Sequence, residues 1–271
     1  MKPIDKIRQV FEQSKPAFMP YFTLGYPDYA TSLAVVQACA AAGADMMELG
    51  IPFSDPLADG PTIQHSTQVA LQEGMTVEKC VTAVSTLRAS GITIPFLLMG
   101  YINPLLAYGL ARFVQDAAQA GANGLIIPDL PPDEAGELEE LCAAHGLALV
   151  YLLSPNSSDE RTEMVTRKST GFTYLVSVTG ITGARTELPP ALGSFIQRVR
   201  AVAQGPLAVG FGISPPPQAQ AVGALADGVI VGSALIKAVD AAENKTEAAA
   251  AFVAKMKKQS TNNKKQKTEN S

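Results

Sequence analysis

Eight short apolar runs, each typical of a buried β-strand, alternate with segments of helical periodicity along the chain. They recur roughly every 25 to 35 residues. The predicted strands are 18–25, 45–50, 94–101, 124–129, 148–154, 172–177, 206–212 and 227–233. Most of the helical segments between them, such as LARFVQDAAQAG, end in a glycine, which favours a helix C-cap. Residues 3–13 predict one further amphipathic helix before the first strand.

This alternation indicates a parallel sheet covered by helices. Eight units in about 250 residues match the size and count of a (β/α)8 barrel. A doubly wound sheet is the main alternative, but it usually carries G-x-G-x-x-G after its first strand, where this chain has TLGYPD. We therefore predict the α/β class, with a single-domain (β/α)8 TIM barrel over 1–257 and a disordered lysine-rich tail over 258–271.

Composition narrows the classes of partner and the cellular location. A net charge of -4 argues against a nucleic acid or an anionic membrane as the main partner. No stretch reaches the roughly 18 apolar residues of a spanning helix, so we expect a cytoplasmic protein. The chain has only two histidines and three scattered cysteines, which are expected to be buried, so we predict no metal site.

The stretch ELGIPFSDPLADGPTIQ, residues 48–64, concentrates acids at the end of the second predicted strand. In such barrels the active site lies at the carboxyl ends of the strands. Strand alternation aims Glu48 into the barrel, where desolvation would raise the pKa of the carboxyl towards the range useful for proton transfer. The alternative is a structural Glu that pairs with an arginine or accepts backbone N–H groups.

The stretch contains two further acids, each of which can be explained by local structure alone. Asp59 precedes Gly-Pro-Thr and could be a helix N-cap, a role for which Thr62 competes. Asp55 lies between a serine and a proline and could simply shape a turn.

The last three strands are followed by glycine-rich loops, SVTGITGA, GFGIS and VGSALIK. Glycines let backbone N–H groups approach a ligand, and Ser233 opens a helix whose dipole favours an anion. Loops after strands seven and eight form the usual phosphate site of this fold, so we predict a phosphorylated small-molecule substrate. The remaining strand ends offer an apolar, aromatic wall: Tyr21, Met99, Tyr101, Ile126, Leu152, Tyr174 and Phe211.

The stretch 48–64 resembles the signature of the tryptophan synthase alpha subunit family. The resemblance continues in collinear order through FTLGYPD, INPLLAYG, IIPDLP, SPNSSDER, TYLVSVTGITGAR, GFGIS and DGVIVGSA, over about residues 15 to 240. That family cleaves indole-3-glycerol phosphate to indole and glyceraldehyde 3-phosphate, a retro-aldol reaction that uses no cofactor in this subunit. Indole passes to a beta subunit that contains pyridoxal phosphate and makes L-tryptophan.

The resemblance implies a role for each matching residue. Glu48 would be the acid/base at indole C3, and Asp59 would contact the indole N–H. The implied substrate-binding residues are Tyr21, Tyr101, Tyr174, Thr182, Gly183, Phe211, Gly212, Gly232 and Ser233. The loop with Pro52, Phe53 and Asp55, together with the loop around Thr182, would face the beta subunit in an alpha2beta2 complex.

The chain departs from the family pattern at two places. Val69 stands where related sequences often have arginine, and GALADG before the last strand is one residue short, which leaves the register of 230–233 open. The enzymatic alternative is a sugar-phosphate isomerase or epimerase barrel, although such epimerases tend to need metal ligands. A non-catalytic, ligand-binding barrel is the alternative from another class.

Overall fold

The computed structural model describes residues 1–177, 191–210, 212–213 and 216–261, apart from the side chains of 259–261. Its strands are β1 (Ala17–Thr23), β2 (Met47–Gly50), β3 (Phe96–Met99), β4 (Gly124–Ile126), β5 (Ala148–Val150), β6 (Leu152–Leu153), β7 (Thr173–Val176), β8 (Leu207–Gly210) and β9 (Gly228–Val231). Each observed strand falls within a predicted run, except that β1 begins one residue earlier.

Helices follow the strands in the order that the sequence predicts. They are α1 (Pro3–Gln13), α2 (Tyr29–Ala41), α3 (Pro61–Gln72), α4 (Val77–Ala89), α5 (Ile102–Tyr108), α6 (Leu110–Ala120), α7 (Gly136–His145), α8 (Asp159–Lys168), α9 (Leu192–Arg200), α10 (Pro216–Gly223), α11 (Ser233–Ala241) and α12 (Lys245–Thr261). Helix α12 continues through the predicted boundary at residue 257. The rest of the predicted tail, 262–271, lies outside the described residues, so its disorder stays a prediction.

The strands form one parallel sheet in the order β5-β4-β3-β2-β1-β9-β8-β7-β6. Its two outer members, β5 and β6, are the two halves of the predicted strand 148–154, divided at Tyr151. The sheet therefore returns to its own beginning, and the described strands form the predicted (β/α)8 barrel with its fifth strand in two pieces. Its core is apolar, and Cys39, Cys80 and Cys142 are free and buried, as predicted.

Helix α1 covers the amino-terminal end of the barrel. Its apolar residues Ile7 and Phe11 are buried, and the Phe11 ring lies 5.5 Å from that of Phe172, just before β7. The Ile4 backbone N–H donates to the Gly146 carbonyl, which precedes β5. This helix closes the end of the barrel opposite to the carboxyl ends of the strands.

The three repeated junctions, AAAGAD, AQAGANG and GALADG, build the same hydrogen-bonded clasp at this closed end. In each, the last polar residue exchanges a reciprocal pair of bonds with a residue at the start of a neighbouring strand. The N–H of Asp45 donates to the Phe18 carbonyl, and the Phe18 N–H donates to the Asp45 carboxylate at 2.7 Å. Asn123 bonds the backbone of Phe96 in the same way, and Asp227 that of Leu207.

Each clasp also contacts a cationic side chain. Lys257 of α12 lies 2.6 Å from the Asp45 carboxylate, and Arg200 pairs with Asp227. Arg88 donates to the Asn123 amide oxygen at 2.8 Å. The repeated sequence is therefore structural. Its polar side chains bond the first residues of a neighbouring strand, and these polar groups are all satisfied.

Candidate active site

The open end of the barrel places Glu48 and Tyr21 side by side. Tyr21 of β1 and Glu48 of β2 are register partners, and Glu48 is also paired with Leu97 of β3. Both Tyr21 and Glu48 line a cavity at this end of the barrel. The parallel register therefore brings a phenol and a carboxyl to the same level of the wall.

Glu48 is completely buried, and no described residue makes a hydrogen bond to either of its carboxylate oxygens. Burial raises the pKa of this carboxyl well above its ordinary value. Neither structural interpretation of Glu48 from the sequence is met, because the described residues supply neither a partner arginine nor backbone donors. A buried polar group left without partners is uncommon, and it often marks a place where a ligand supplies the partner.

The cavity is narrow, with a volume of about 30 Å³. Its wall is mostly apolar, with polar groups at a few points. The lining residues are Tyr21, Glu48, Ile63, Met99, Tyr174, Gly212, Ile213, Ile230, Gly232 and Ser233. Seven residues predicted for the site or its wall thus meet in one cavity: Tyr21, Glu48, Met99, Tyr174, Gly212, Gly232 and Ser233.

Two glycines make room for the tyrosine side chains in this wall. A Cβ atom at residue 50 would collide with the Tyr21 hydroxyl, and one at residue 210 would collide with the Tyr174 hydroxyl. The sequence interpretation gave Gly210 a role in approaching a ligand, whereas here its missing side chain accommodates Tyr174. A Cβ at residue 232 would lie 3.1 Å from the Tyr21 ring, so Gly232 serves both that ring and the cavity.

Asp59 does not cap helix α3. The N-cap of α3 is Gly60, Pro61 is the first helical residue, and Thr62 lies within the helix, so both capping interpretations are wrong. The Asp59 side chain is only 8% exposed, and this burial raises its pKa to about 6, although a hydrogen bond from Tyr101 acts in the opposite direction. Asp59 is therefore a second buried carboxyl near the cavity.

Tyr101 contacts the loop that precedes α3 and carries Asp59. Its hydroxyl accepts a bond from the Ala58 N–H at 3.0 Å, and its ring lies 5.5 Å from that of Phe53. Asp59 and Tyr101 do not line the cavity, but Asp59 acts electrostatically on both Tyr21 and Tyr174. The two residues thus lie beside the cavity rather than in its wall.

The predicted partner-facing residues differ in exposure. Pro52 is buried, Phe53 is half-buried and Asp55 is exposed. The Ser54 hydroxyl donates to the Asp55 carboxylate, which fits the turn role that the sequence also allowed. Leu57, which the sequence interpretation did not single out, is 92% exposed. This loop presents an apolar side chain to the surroundings.

The predicted phosphate end of the site is partly described. Gly212 has a φ of 72°, a conformation that favours glycine. Gly232 is the N-cap of α11, and Ser233 is the first residue of that helix. Three predicted residues, Thr182, Gly183 and Phe211, lie outside the described residues.

Sequence reasoning missed the helix α3 side of the site. Ile63 lines the cavity, and Ser66, three residues further along, is completely buried and bonded to Thr23. The available signal was the spacing of three, which places both residues on one helix face. A serine and a threonine in apolar surroundings gave no reason to connect them.

The described residues contain neither a metal-binding cluster nor a membrane-spanning helix. No group of three or more His, Cys, Asp or Glu side chains within them is arranged to hold a metal ion. None of the helices in the described ranges has both the length and the apolar character that crossing a membrane requires.

Comparison with known proteins gives one family. The model of the family "Tryptophan synthase alpha chain" matches residues 7–267. The chain is 49% identical over 236 residues to the tryptophan synthase alpha chain of Dehalococcoides mccartyi, covering 87% of this chain and 92% of the relative. It is 52% identical over 220 residues to that of Chloroflexus aggregans, covering 81% and 82%.

Solved structures agree with this result. The tryptophan synthase subunit alpha of Legionella pneumophila superposes with a TM-score of 0.89 at 36% identity, covering 97% of this chain and 99% of that one. A chain of Mycobacterium tuberculosis tryptophan synthase superposes with a TM-score of 0.85 at 36% identity, covering 95% and 96%. The chain belongs to the tryptophan synthase alpha chain family.

Proposed function

We propose that this barrel carries out the alpha reaction of tryptophan synthase with Glu48 as its acid/base. In that reaction the alpha subunit, a carbon-carbon lyase, cleaves indole-3-glycerol phosphate to indole and glyceraldehyde 3-phosphate and passes indole to the beta subunit. The observation that carries the assignment of Glu48 is its fully buried carboxyl, which faces a cavity and has no hydrogen-bond partner among the described residues.

Cleavage of the carbon-carbon bond requires that one proton is added to indole C3 and another is removed from the glycerol hydroxyl. Protonation of indole C3 makes the ring an electron acceptor. Loss of the proton from the adjacent glycerol hydroxyl then forms the aldehyde, while the electrons of the broken carbon-carbon bond return to the ring. Desolvation raises the pKa of the Glu48 carboxyl and so favours its protonated form, which can donate the proton at C3.

Asp59 has the complementary role in this proposal. With a pKa of about 6 it is mostly ionised at neutral pH, so it can accept a hydrogen bond from the indole N–H. A negative charge beside that N–H stabilises the positive charge that develops on the protonated ring. Tyr101 contacts the loop that carries this carboxylate, because its hydroxyl accepts a bond from the Ala58 N–H.

The phosphate is proposed to bind at the opposite end of the cavity. Gly212, Gly232 and Ser233 all line it, and Ser233 begins α11, where free backbone N–H groups and the helix dipole favour an anion. By resemblance, Thr182 and Gly183 complete this end, and Phe211 contributes to the wall against the indole.

A beta subunit is the proposed partner. Solved relatives include whole tryptophan synthases, such as that of M. tuberculosis. The loop with Pro52, Phe53 and Asp55 is proposed to face this partner in an alpha2beta2 complex, and the exposed Leu57 gives that surface an apolar contact point. We place pyridoxal phosphate in the beta subunit alone and propose no cofactor for this chain.

The test is an assay of the purified chain on indole-3-glycerol phosphate, with and without a cognate beta subunit, in which indole is measured. The Glu48→Gln variant keeps the shape of the side chain but cannot act as an acid or base, so it should lose about 10²- to 10⁴-fold in kcat. Glu73→Gln, an exposed change at the end of α3, is the control and should stay at the wild-type rate. A rate for Glu48→Gln within a few-fold of wild type would contradict the assignment.

A further inference from the structure

A chain of three buried hydroxyl groups leads from the cavity wall to helix α3. The Tyr21 hydroxyl lies 3.3 Å from the Thr23 hydroxyl, and the Thr23 hydroxyl lies 2.7 Å from that of Ser66. Thr23 and Ser66 are completely inaccessible to solvent. The Ser66 hydroxyl in turn donates to the Ile63 carbonyl at 2.9 Å.

The end of this chain fixes the direction of every bond in it. A carbonyl oxygen can only accept, so the single proton of Ser66 is used on Ile63. Thr23 must then donate to Ser66, and Tyr21 must donate to Thr23, because each hydroxyl has one proton. The Tyr21 proton therefore points away from the cavity, and its oxygen is left as an acceptor.

Tyr21 has little freedom to turn its hydroxyl elsewhere. The hydroxyl occupies the space that a side chain at residue 50 would need, and Gly232 packs against the ring. Asp59 is the strongest charged influence on Tyr21 in the site. The Tyr21 oxygen is thus an acceptor in the cavity wall whose own proton is already used, and a ligand N–H would supply its missing donor.

We propose that Thr23 and Ser66 are positioning residues that hold the Tyr21 hydroxyl oxygen as a second acceptor for the indole N–H, beside Asp59. This inference rests on the proposed function, since it takes the indole ring as the group in the cavity. The hydroxyl chain makes the site select a ring with a donor at this position over an isosteric ring without one.

The test compares two non-cleavable ligands that differ only at the ring heteroatom. These are 3-(indol-3-yl)propyl phosphate, which has the N–H donor, and 3-(benzofuran-3-yl)propyl phosphate, which has none. Calorimetric titration gives the ratio of their dissociation constants for each variant. Because neither ligand has a glycerol hydroxyl, the ratio reports on the ring position alone.

Thr23→Val keeps the shape of the side chain and removes its hydroxyl, whereas Thr23→Ser keeps the hydroxyl. We expect Thr23→Val and Tyr21→Phe to reduce the preference for the indole ligand by about 3- to 10-fold, and Thr23→Ser to retain it. Ser66→Ala frees the Thr23 proton to turn towards Tyr21, so it should reduce the preference in the same direction. Ser66→Ala also supplies a second break in the chain if Thr23→Val folds poorly.

Equal ratios for Thr23→Val and Thr23→Ser, or an unchanged ratio in Tyr21→Phe, would overturn the positioning role. The failure of the underlying function looks different. A wild-type protein that releases no indole from indole-3-glycerol phosphate would refute the proposed function. A wild type that cleaves normally, while its variants keep their ligand preference, would refute only the role of the hydroxyl chain.

Discussion

The two ends of the barrel treat buried polar groups in opposite ways. At the closed end, Asp45, Asn123 and Asp227 each exchange bonds with a neighbouring strand and contact a cationic side chain. At the open end, Glu48 is more deeply buried than any of these three residues, yet it has no hydrogen-bond partner among the described residues. The closed end stabilises the fold with its polar groups, whereas the open end keeps the Glu48 carboxyl available.

This difference follows from the cost of desolvation. A carboxyl without partners in an apolar site costs free energy, which the closed end avoids by satisfying each group. At the open end the desolvation of Glu48 stays uncompensated, because a carboxyl with fixed hydrogen-bond partners could not exchange protons with a ligand. The stability of the barrel and the chemistry of its mouth can therefore be separated by mutation.

The largest difference between an effect on activity and an effect on stability is expected at Glu48. Replacing the buried acid with glutamine should abolish most turnover, as described above, without lowering the free energy of unfolding. Chemical denaturation of Glu48→Gln checks the second half, and the expected result is a stability equal to or above that of wild type. A loss of more than about 2 kcal/mol would mean that Glu48 has a structural partner.

The converse change is Asn123→Ala at the closed end. It leaves the Phe96 N–H and one donor of Arg88 without their acceptor, and it removes the bond to the Pro3 carbonyl that holds α1. We expect the free energy of unfolding to fall by about 2 to 4 kcal/mol. Below the unfolding transition, kcat should stay within about twofold of wild type. A matching loss in kcat would show that the two ends are coupled.

The pH dependence of stability distinguishes Asp59 from an ordinary surface acid. Its folded pKa of about 6 lies above the ordinary value of 3.8, so the folded protein binds the proton more tightly than the unfolded chain does. Stability should therefore fall as the pH rises from about 4 to about 6, by roughly 2 kcal/mol for this group, and level off above that.

Denaturation of wild type and Asp59→Asn across pH 4 to 8 isolates this contribution. The asparagine variant should gain stability relative to wild type over the window from about 4 to about 6. A difference between the two proteins that is independent of pH would show that Asp59 titrates like an exposed residue.

The smallest effect is expected from Lys257→Met. This removes the ammonium group that contacts Asp45, but Ser14 and the Phe18 N–H still bond the carboxylate. Since the lysine side chain is 27% exposed, we expect a loss of only about 1 kcal/mol, and less at high salt. Thermal melts at low and high ionic strength check both statements.

Much of the barrel could be read from the sequence because its strands are continuous apolar runs and its helices end in glycine. The division of the fifth strand at Tyr151 could not. The Tyr151 side chain reaches Glu139 in α7 at 2.7 Å, and its backbone N–H bonds Ser169 instead of a strand. Such pairings join residues that are distant in the sequence, so the local sequence pattern cannot predict them.

The candidate site was predictable to a similar degree. Glu48 could be placed because strand alternation and the barrel rule fix its direction. The cap interpretation of Asp59 was wrong because helix α3 begins one residue later, at Pro61, with Gly60 as its cap. The chain from Tyr21 to Ser66 could not be foreseen, since it joins β1 to α3 across 43 residues.

The glycine and tyrosine pairs of the wall have a consequence for how this barrel can diverge. Because Tyr21 fills the space above Gly50, and Tyr174 that above Gly210, each pair shares one volume. A larger residue at 50 or 210 is compatible only with a smaller one opposite. Relatives that acquire a different ring pocket should therefore change both members of a pair together, and a single exchange should be rare among functional sequences.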